Sequence, residues 1–245
     1  MPRRPRRPRP GDAAPRRQLT TLWDFPSQDY GGRQQGAKGY IGATPSYVIW
    51  NLIERYTEPK DMVIDPFAGS GTTLDVAREL RRKCLGYDVH PHPDRRDVFN
   101  RDARNLPPEL TGKAALVFMD PPYADHLDYG PDRRDIGKLA ADAGYFEAMK
   151  EAFAEAHRVL RPGGHLAVYV SDSYKHNKTG GTFAPLGLGL FRRMMEVGGG
   201  GFEPVDHVAV VRHNKTLQMG NYRKAADEGG YFMRGFNHLM IVRKI

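Results

Sequence analysis

The chain has 245 residues and a formal net charge of +8, a length that suits one α/β domain and excludes a large second one. A single cysteine excludes an internal disulfide framework and is typical of a reducing compartment, so we expect a cytoplasmic protein. No apolar run approaches the roughly 20 residues that a membrane-spanning helix requires.

Helical and strand patterns alternate along the chain, with apolar spacing of about 3.6 in the helices and short apolar runs as buried strands. The predicted elements are, in order, helix 45–57, strand 61–66, helix 72–82, strand 83–88, strand 97–101, strand 114–119, helix 143–160, strand 163–171, helix 186–197, strand 204–212 and strand 236–243. This alternation predicts an α/β fold with a mostly parallel seven-stranded sheet and helices on both faces.

Residues 1–17 hold seven arginines and one aspartate, which leaves little net charge for the remainder. Such a proline- and arginine-rich stretch is predicted to be disordered without a partner, so we divide the chain into a basic arm, 1–20, and a single catalytic domain, 21–245. The arm fits a non-specific, salt-dependent contact to phosphates. A solubilising terminus fits its composition equally well.

A glycine-rich turn, 65–73 (DPFAGSGTT), follows the apolar run 62–64 and opens a helix. Gly69 and Gly71 allow a sharp turn and a close approach of the backbone to a ligand, as in dinucleotide sites. The spacing is nevertheless not G-x-G-x-x-G. Asp88 ends the next strand, where a carboxylate can accept hydrogen bonds from ribose hydroxyls of NAD or of another adenosine cofactor. A solvated turn is the alternative for Asp88.

A second motif, Asp120-Pro121-Pro122-Tyr123, follows the apolar strand 114–119. In an open α/β sheet, ligands bind outside the carboxyl ends of the strands, so both motifs should lie at one edge. A carboxylate, a rigid proline pair and an aromatic ring form a clamp for a planar substrate with an amino group. The two motifs together predict a cofactor cradle beside that clamp.

The motif 120–123 resembles the catalytic motif of the S-adenosylmethionine-dependent DNA amino-methyltransferases, the N6-adenine and N4-cytosine family, and 65–71 resembles their cofactor motif. The resemblance runs from about Thr44 to the C-terminus, with the motif order of the gamma group. It implies a class I, Rossmann-like methyltransferase fold whose last two strands are antiparallel. It also implies S-adenosylmethionine as cofactor, S-adenosylhomocysteine as product, and no metal.

The resemblance assigns a cofactor role to residues of four segments. Thr44 and Pro45 would hold the methionine carboxylate, and residues 65–73 form the turn. Asp88 would bind the ribose, and Asp102 and Ala103 would contact the adenine amino group. The residues are Thr44, Pro45, Asp65, Pro66, Phe67, Ala68, Gly69, Ser70, Gly71, Thr72, Thr73, Asp88, Asp102 and Ala103.

The catalytic assignments follow from the chemistry of an exocyclic amine, whose lone pair is delocalised into the base. The Asp120 carboxylate and the Pro121 carbonyl would each accept one amine hydrogen, and the carboxylate would stabilise the positive charge that develops on nitrogen. Tyr123 would stack on the base, and Pro121 and Pro122 would keep the loop rigid. We expect Asp120 to be ionised at neutral pH unless burial raises its pKa.

Target recognition is assigned to three segments, 124–139, 171–185 and 212–234, because basic and amide side chains contact phosphates and base edges. The candidate DNA-binding residues are Arg133, Arg134, Lys138, Lys175, Arg212, His213, Asn214, Lys215, Arg223 and Lys224. We expect double-stranded DNA as partner, with a flipped target base and a nucleoid association. The resemblance also allows a homodimer and a cognate restriction endonuclease.

Three alternatives stay open at this point. Asp120 favours adenine N6 slightly over cytosine N4, whose enzymes often have serine in its place. An RNA guanosine N2-methyltransferase shares a similar motif, although no additional RNA-binding domain is visible in the sequence. A non-catalytic nucleic-acid-binding module is the third alternative, which the intact Asp120, Gly69 and Gly71 disfavour.

Overall fold

The computed structural model describes residues 14–40, 42–123, 132–177, 180–213 and 215–245. The helices in this part of the chain are α1 Ser46–Tyr56, α2 Thr72–Glu79, α3 Ala143–Val159, α4 Leu186–Met195 and α5 Gly220–Glu228. The strands are β1 Leu22–Trp23, β2 Met62–Asp65, β3 Lys83–Asp88, β4 Val98–Asn100, β5 Ala114–Met119, β6 Leu160–Val170, β7 Ser173–Asn177, β8 Gly180–Ala184, β9 Phe202–Val211 and β10 Phe236–Lys244. None of the described helices is long and apolar enough to cross a membrane.

The central sheet has the strand order β1-β9-β10-β6-β5-β2-β3-β4. Strands β4, β3, β2, β5 and β6 run parallel, and β10 is antiparallel to both β6 and β9. The predicted mostly parallel sheet with an antiparallel C-terminal pair is confirmed. The predicted seven strands are joined by an eighth, β1, which pairs with β9. Two residues are too short for any periodic pattern, so β1 leaves no signal in the sequence.

The two faces of the sheet are covered by different helices because side chains alternate along each strand. On β5, Val117 and Met119 join the core formed with α3 and α4. Leu116 and Phe118 join the opposite core, formed with α1 and α2. All six residues of β5 are buried, as expected for a parallel strand covered on both faces.

The sheet brings the two sequence motifs together at its centre. Strand β2 pairs with β3 on one side and with β5 on the other, with Ile64 opposite Val117. The chain therefore leaves the carboxyl ends of β2 and β5 at neighbouring positions, the switch point where ligands bind in such sheets. Asp65 is the last residue of β2, and Asp120 directly follows β5.

Two segments predicted as loops contain regular secondary structure, and the end of the predicted basic arm packs on the domain. The segment 171–185 forms a β7–β8 hairpin, and 212–234 contains the helix α5. The end of the predicted arm, 1–20, lies against α1, where the backbone N–H of Gln18 donates to Asn51 Oδ1 over 2.7 Å. Residues 1–13 of the arm and 124–131 of the first target segment lie outside the described residues.

Candidate active site

A cavity of about 750 Å³ opens at the carboxyl edge of the sheet. The glycine turn and Asp88 line one end, and Asp120 to Tyr123 line the other. The volume lies within the usual range for a small-molecule site. The structure therefore brings the two motifs, 55 positions apart in the sequence, to one cavity.

Asp120 is held by two hydroxyl groups. Thr44 Oγ1 donates to one carboxylate oxygen, and the Tyr123 hydroxyl donates to the other over 3.1 Å. Burial raises the pKa of Asp120 to about 7, although these two hydrogen bonds oppose the shift. The sequence predicted ionisation at neutral pH unless burial intervened, and in the structure burial makes this carboxyl group titrate near neutrality.

The proline pair is fixed by elements outside the motif. The Tyr145 hydroxyl, on α3, donates to the Pro122 carbonyl over 2.8 Å. A Cβ at Gly137 would lie 2.8 Å from Pro122 Cβ, so the turn at 136–138 packs closely on the ring. These contacts hold the backbone beside Asp120 in one conformation.

Asp65 organises the glycine turn from within. Its oxygens accept hydrogen bonds from the Phe67 backbone N–H at 3.0 Å and from Thr73 Oγ1 at 2.5 Å. Burial raises the pKa of Asp65 to about 7 as well. These hydrogen bonds tie β2, the turn and the start of α2 together, which fixes the backbone that faces the cavity.

The two glycines of the turn have different surroundings. Gly69, with φ +43°, lines the cavity, and a Cβ there would lie 2.6 Å from the Tyr40 hydroxyl. Gly71, with φ +78°, is outside the residues that line the described cavity. A Cβ at Gly71 would lie 2.3 Å from the guanidinium carbon of Arg95. Gly71 is thus needed for its left-handed backbone and for packing, and its contact with the cofactor stays a prediction.

The carboxylates of Asp88 and Asp102, which line the cavity, form hydrogen bonds and an ion pair within the protein. Asp88 accepts hydrogen bonds from the Gly69 and His90 backbone N–H groups, at 2.9 Å and 2.8 Å, and burial raises the pKa of this carboxyl. Asp102 pairs with Arg104 at 2.7 Å. Asp88, Asp102 and the buried Ala103 all line the cavity, and their roles in binding a cofactor stay predictions.

Several lining residues were missed by the sequence analysis. Phe25 and Tyr40 come from the segment before α1, which has no periodic pattern. Tyr169, near the end of β6, and Asn237, on β10, face the Asp120 end. Asn237 Nδ2 donates to the Tyr169 hydroxyl, and Asn237 Oδ1 is buried with no hydrogen-bond partner among the residues that the structure describes. Only the antiparallel pairing of β10 with β6 brings these two residues together.

The predicted DNA-binding residues divide into two groups. Arg134, Arg212 and His213 line the cavity, whereas four others are exposed and outside its lining: Arg133, Lys138, Arg223 and Lys224. Asn214 lies outside the described residues, as do the side chains of Lys175 and Lys215.

The three basic side chains at the cavity have protein partners. Arg134 pairs with Asp132 at 2.6 Å, and the Arg212 guanidinium donates to Ser171 Oγ over 2.8 Å. His213 lies 2.6 Å from Asp24. These contacts connect the target segments to the strand ends and to the segment before α1.

Solved structures with similar folds define the class of protein. The chain is similar to TrmN from Thermus thermophilus, with a TM-score of 0.52 and 17% identity over 84% of this chain and 50% of that one. It is also similar to a geranyl diphosphate methyltransferase in complex with GPP and sinefungin, with a TM-score of 0.51 and 15% identity over 82% and 79%. The [4+2]-cyclase SpnF has a TM-score of 0.52 and 17% identity over 87% and 88%. The chain has the class I methyltransferase fold, and the cyclase shows that the site must decide the chemistry.

The family is shown by the sequence itself. The chain belongs to the N6/N4 DNA methylase family, whose model matches residues 6–93 and 114–244. The type II methyltransferase M.HindIII of Haemophilus influenzae is 46% identical over 52 residues, which are 21% of this chain and 17% of that protein. M1.MboII of Moraxella bovis is 35% identical over 72 residues, 28% of each chain. The matched stretches thus span less than a third of these relatives, and the predicted family is confirmed.

Proposed function

We propose that this protein is an S-adenosylmethionine-dependent methyltransferase acting on an exocyclic amine of a base in double-stranded DNA. The observation that carries the proposal is the single cavity that joins the glycine turn and Asp88 to Asp120 and Tyr123. A cofactor at the first end and a planar amine at the second would meet beside Asp120. Membership of the DNA methylase family supports DNA as the substrate.

The residues at the first end fit S-adenosylmethionine. Gly69 gives the turn a surface without a side chain toward the cavity, and Asp88 offers carboxylate oxygens where a ribose would lie. Ala103 and Ile136 add apolar surface for an adenine ring. When bound, the cofactor would supply a methyl group on a positively charged sulfur.

The role proposed for Asp120 is to accept a hydrogen from the amine. The carboxylate would orient the nitrogen lone pair toward the methyl group and stabilise the positive charge that forms on nitrogen. Thr44 and Tyr123 would hold the carboxylate in place during this step. With a pKa of about 7, Asp120 is also suited to take up the proton that the methylated amine must lose.

Among amines in DNA, we favour adenine N6 over cytosine N4, because the motif has aspartate at position 120. A base within a duplex cannot reach a cavity of this depth, so the target would be flipped out. Tyr123 lines the cavity and would stack on that base. Arg134 and Arg212 at the cavity would approach the adjoining phosphates.

Nucleoside mass spectrometry of DNA incubated with the purified protein and S-adenosylmethionine tests the proposal. We expect N6-methyladenine in unmethylated bacterial DNA and its loss with Asp120→Asn. Asp206→Asn is the matched control, because Asp206 is exposed on β9 and outside the cavity lining. Detection of N4-methylcytosine would support the same mechanism with cytosine as the target base. Methylation confined to RNA, or none with any nucleic acid, would contradict the proposal.

A further inference from the structure

An exposed phenylalanine lies in the segment 231–235, which connects α5 to β10. Phe232 is 89% exposed, the highest value among the large apolar side chains that the structure describes. A single exposed apolar residue is common on protein surfaces and has no meaning by itself. Phe232 differs from other exposed apolar residues in its place in the chain and in the contacts that hold its neighbours.

The segment 231–235 ends beside residues that line the cavity. The Arg212 backbone N–H donates to the Gly235 carbonyl over 2.9 Å. Arg212 lines the cavity, and so does Asn237, two residues after Gly235. Phe232 is three residues from Gly235, which corresponds to at most about 11 Å of extended chain. The exposed ring is therefore close to the opening through which a base would enter.

The backbone on both sides of Phe232 is held in place. The Tyr231 ring stacks on Tyr174 of the β7–β8 hairpin, with centroids 4.2 Å apart and an angle of 13° between the planes. The Arg234 guanidinium lies 4.9 Å above the ring of Phe183 and donates to the Phe232 carbonyl. Phe232 is thus presented to solvent by an ordered support, so its insertion into a partner would cost little additional ordering of the backbone.

The surroundings of Phe232 match the chemistry of a nucleic acid. Residues 212–236 include five Lys and Arg against two Asp and Glu. Phe183 and Phe236, at 47% and 43% exposure, add aromatic surface in the same region. Basic charge attracts phosphates, and apolar side chains inserted between base steps unstack a duplex. A duplex docked over the cavity is the occupant that uses both properties.

We propose that Phe232 is the wedge that enters the duplex when the target base is flipped into the cavity. The inference rests on the proposed function and extends it by naming the residue that occupies the space left by the base. Stacking of the ring on the neighbouring base pairs would offset part of the free energy lost on unstacking. A single strand has no such space to fill, so its methylation would not need Phe232.

The test compares Phe232→Ala with wild type on three forms of one target sequence, mapped beforehand from DNA that the wild type has methylated. The forms are a duplex, its target strand alone, and a duplex with an abasic site opposite the target base. We expect the variant to methylate the duplex about ten- to a hundredfold more slowly. It should keep the wild-type rate on the single strand and recover most of the rate on the abasic duplex, where unpairing is easier.

Two further variants make the result specific. Phe99→Ala removes an equally large ring that is 52% exposed on β4, at the opposite edge of the sheet, and should behave as wild type. Phe232→Trp keeps a wedge and should retain duplex activity. If Phe232→Ala methylates the duplex as fast as wild type, the proposed wedge role is wrong. An equal loss of activity on the duplex and on the single strand would also contradict it. Dissociation of a dimer by Phe232→Ala would also overturn it, by assigning the ring to a subunit interface. Absence of any methylated site in the preliminary mapping with wild-type protein would overturn the proposed function as well.

Discussion

Thr44 donates a hydrogen bond to Asp120, 76 positions later in the chain. Thr44 immediately precedes Pro45, the cap residue of α1, and Asp120 directly follows β5, so the bond joins the start of the first helix to the centre of the sheet. The family resemblance assigned Thr44 to the cofactor's methionine carboxylate. That role stays a prediction, and in the structure the Thr44 hydroxyl supports the proposed catalytic carboxylate.

The hydrogen bond from Thr44 to Asp120 should influence how the rate of methylation depends on pH. The proposed step needs ionised Asp120, so kcat/KM should rise with pH through an inflection near 7. The Thr44 hydroxyl lowers the pKa of Asp120, so Thr44→Val should move the inflection to higher pH. Single-turnover rates between pH 5.5 and about 9 measure both values.

Thr73→Val provides the control for that profile. Thr73 donates to Asp65, whose pKa is also raised to about 7. The same substitution should therefore leave the inflection in place if Asp120 is the group that titrates. An inflection that moves with Thr73→Val and stays with Thr44→Val would assign the profile to Asp65 and contradict the role of Asp120.

The stability of the protein should fall as the pH rises toward 7. The native pKa values of Asp65 and Asp120, both about 7, exceed the value of about 3.9 in an unfolded chain. The folded protein then binds more protons than the unfolded one between about pH 4 and 7, so the free energy of unfolding decreases over that range.

Asp120→Asn should remove the part of this effect that belongs to Asp120. Since one pKa unit corresponds to about 1.4 kcal/mol, the shift from about 3.9 to about 7 corresponds to about 4 kcal/mol, so we expect the variant to be more stable than wild type by up to about 4 kcal/mol at pH 8. The difference should fall to roughly a third of that value at pH 5, where Asp120 is protonated in the folded protein but ionised in the unfolded chain, and should disappear below about pH 4. Denaturant unfolding at both pH values measures this, with Asp206→Asn near wild type throughout. Destabilisation of Asp120→Asn at pH 8 would contradict the raised pKa.

Two substitutions at Tyr123 should separate its hydroxyl from its ring. Tyr123→Phe loses the hydrogen bond to Asp120, so the pH inflection should rise while the base remains stacked. Tyr123→Ala also loses the ring and should weaken capture of the base by about 1–3 kcal/mol. Cofactor affinity, measured by calorimetry, should be unchanged in both. An equal loss of activity in the two variants would mean that stacking contributes nothing.

The two glycines of the turn should respond differently to alanine. Gly71→Ala places a Cβ against Arg95, which bridges Asp75 and Asp97, and requires φ +78° of a residue with a side chain. We expect it to lower stability by about 1–2 kcal/mol or more. Gly69→Ala should mainly weaken S-adenosylmethionine binding, because its Cβ competes with Tyr40 at the cavity. Calorimetry and thermal unfolding distinguish these outcomes, and a stable Gly71→Ala protein that no longer binds cofactor would reverse the assignment.

Removal of residues 1–13 should test the basic arm without disturbing Arg17 and Gln18, which contact α1. The deletion removes five arginines and one aspartate. Affinity for non-specific DNA should fall, and its dependence on salt should become less steep, because fewer counterions are released. The methylated sequence should stay the same. A changed sequence preference would show that the arm reads bases.

The sequence alone determined seven strands of the central sheet, the helices α1 to α4 and the positions of the two motifs. Buried parallel strands are continuous apolar runs, and a glycine turn or a proline pair at a strand end is a local pattern that needs no tertiary information. The sequence did not predict the side-chain contacts between distant segments. Thr44 with Asp120, and Tyr169 with Asn237, join residues whose separation along the chain carries no periodic signal.

Tertiary structure decided the environment of each predicted residue. Asp120 has an ordinary carboxyl group in the sequence, and only its burial in the folded protein brings its pKa to about 7. Gly69 and Gly71 are two positions apart and equivalent in the motif, yet the left-handed turn directs one toward the cavity and the other toward Arg95. The exposure of Phe232 at the rim likewise depends on α5 and on the pairing of Arg212 with Gly235. Desolvation and packing arise from the whole fold, so they cannot be predicted from a local pattern.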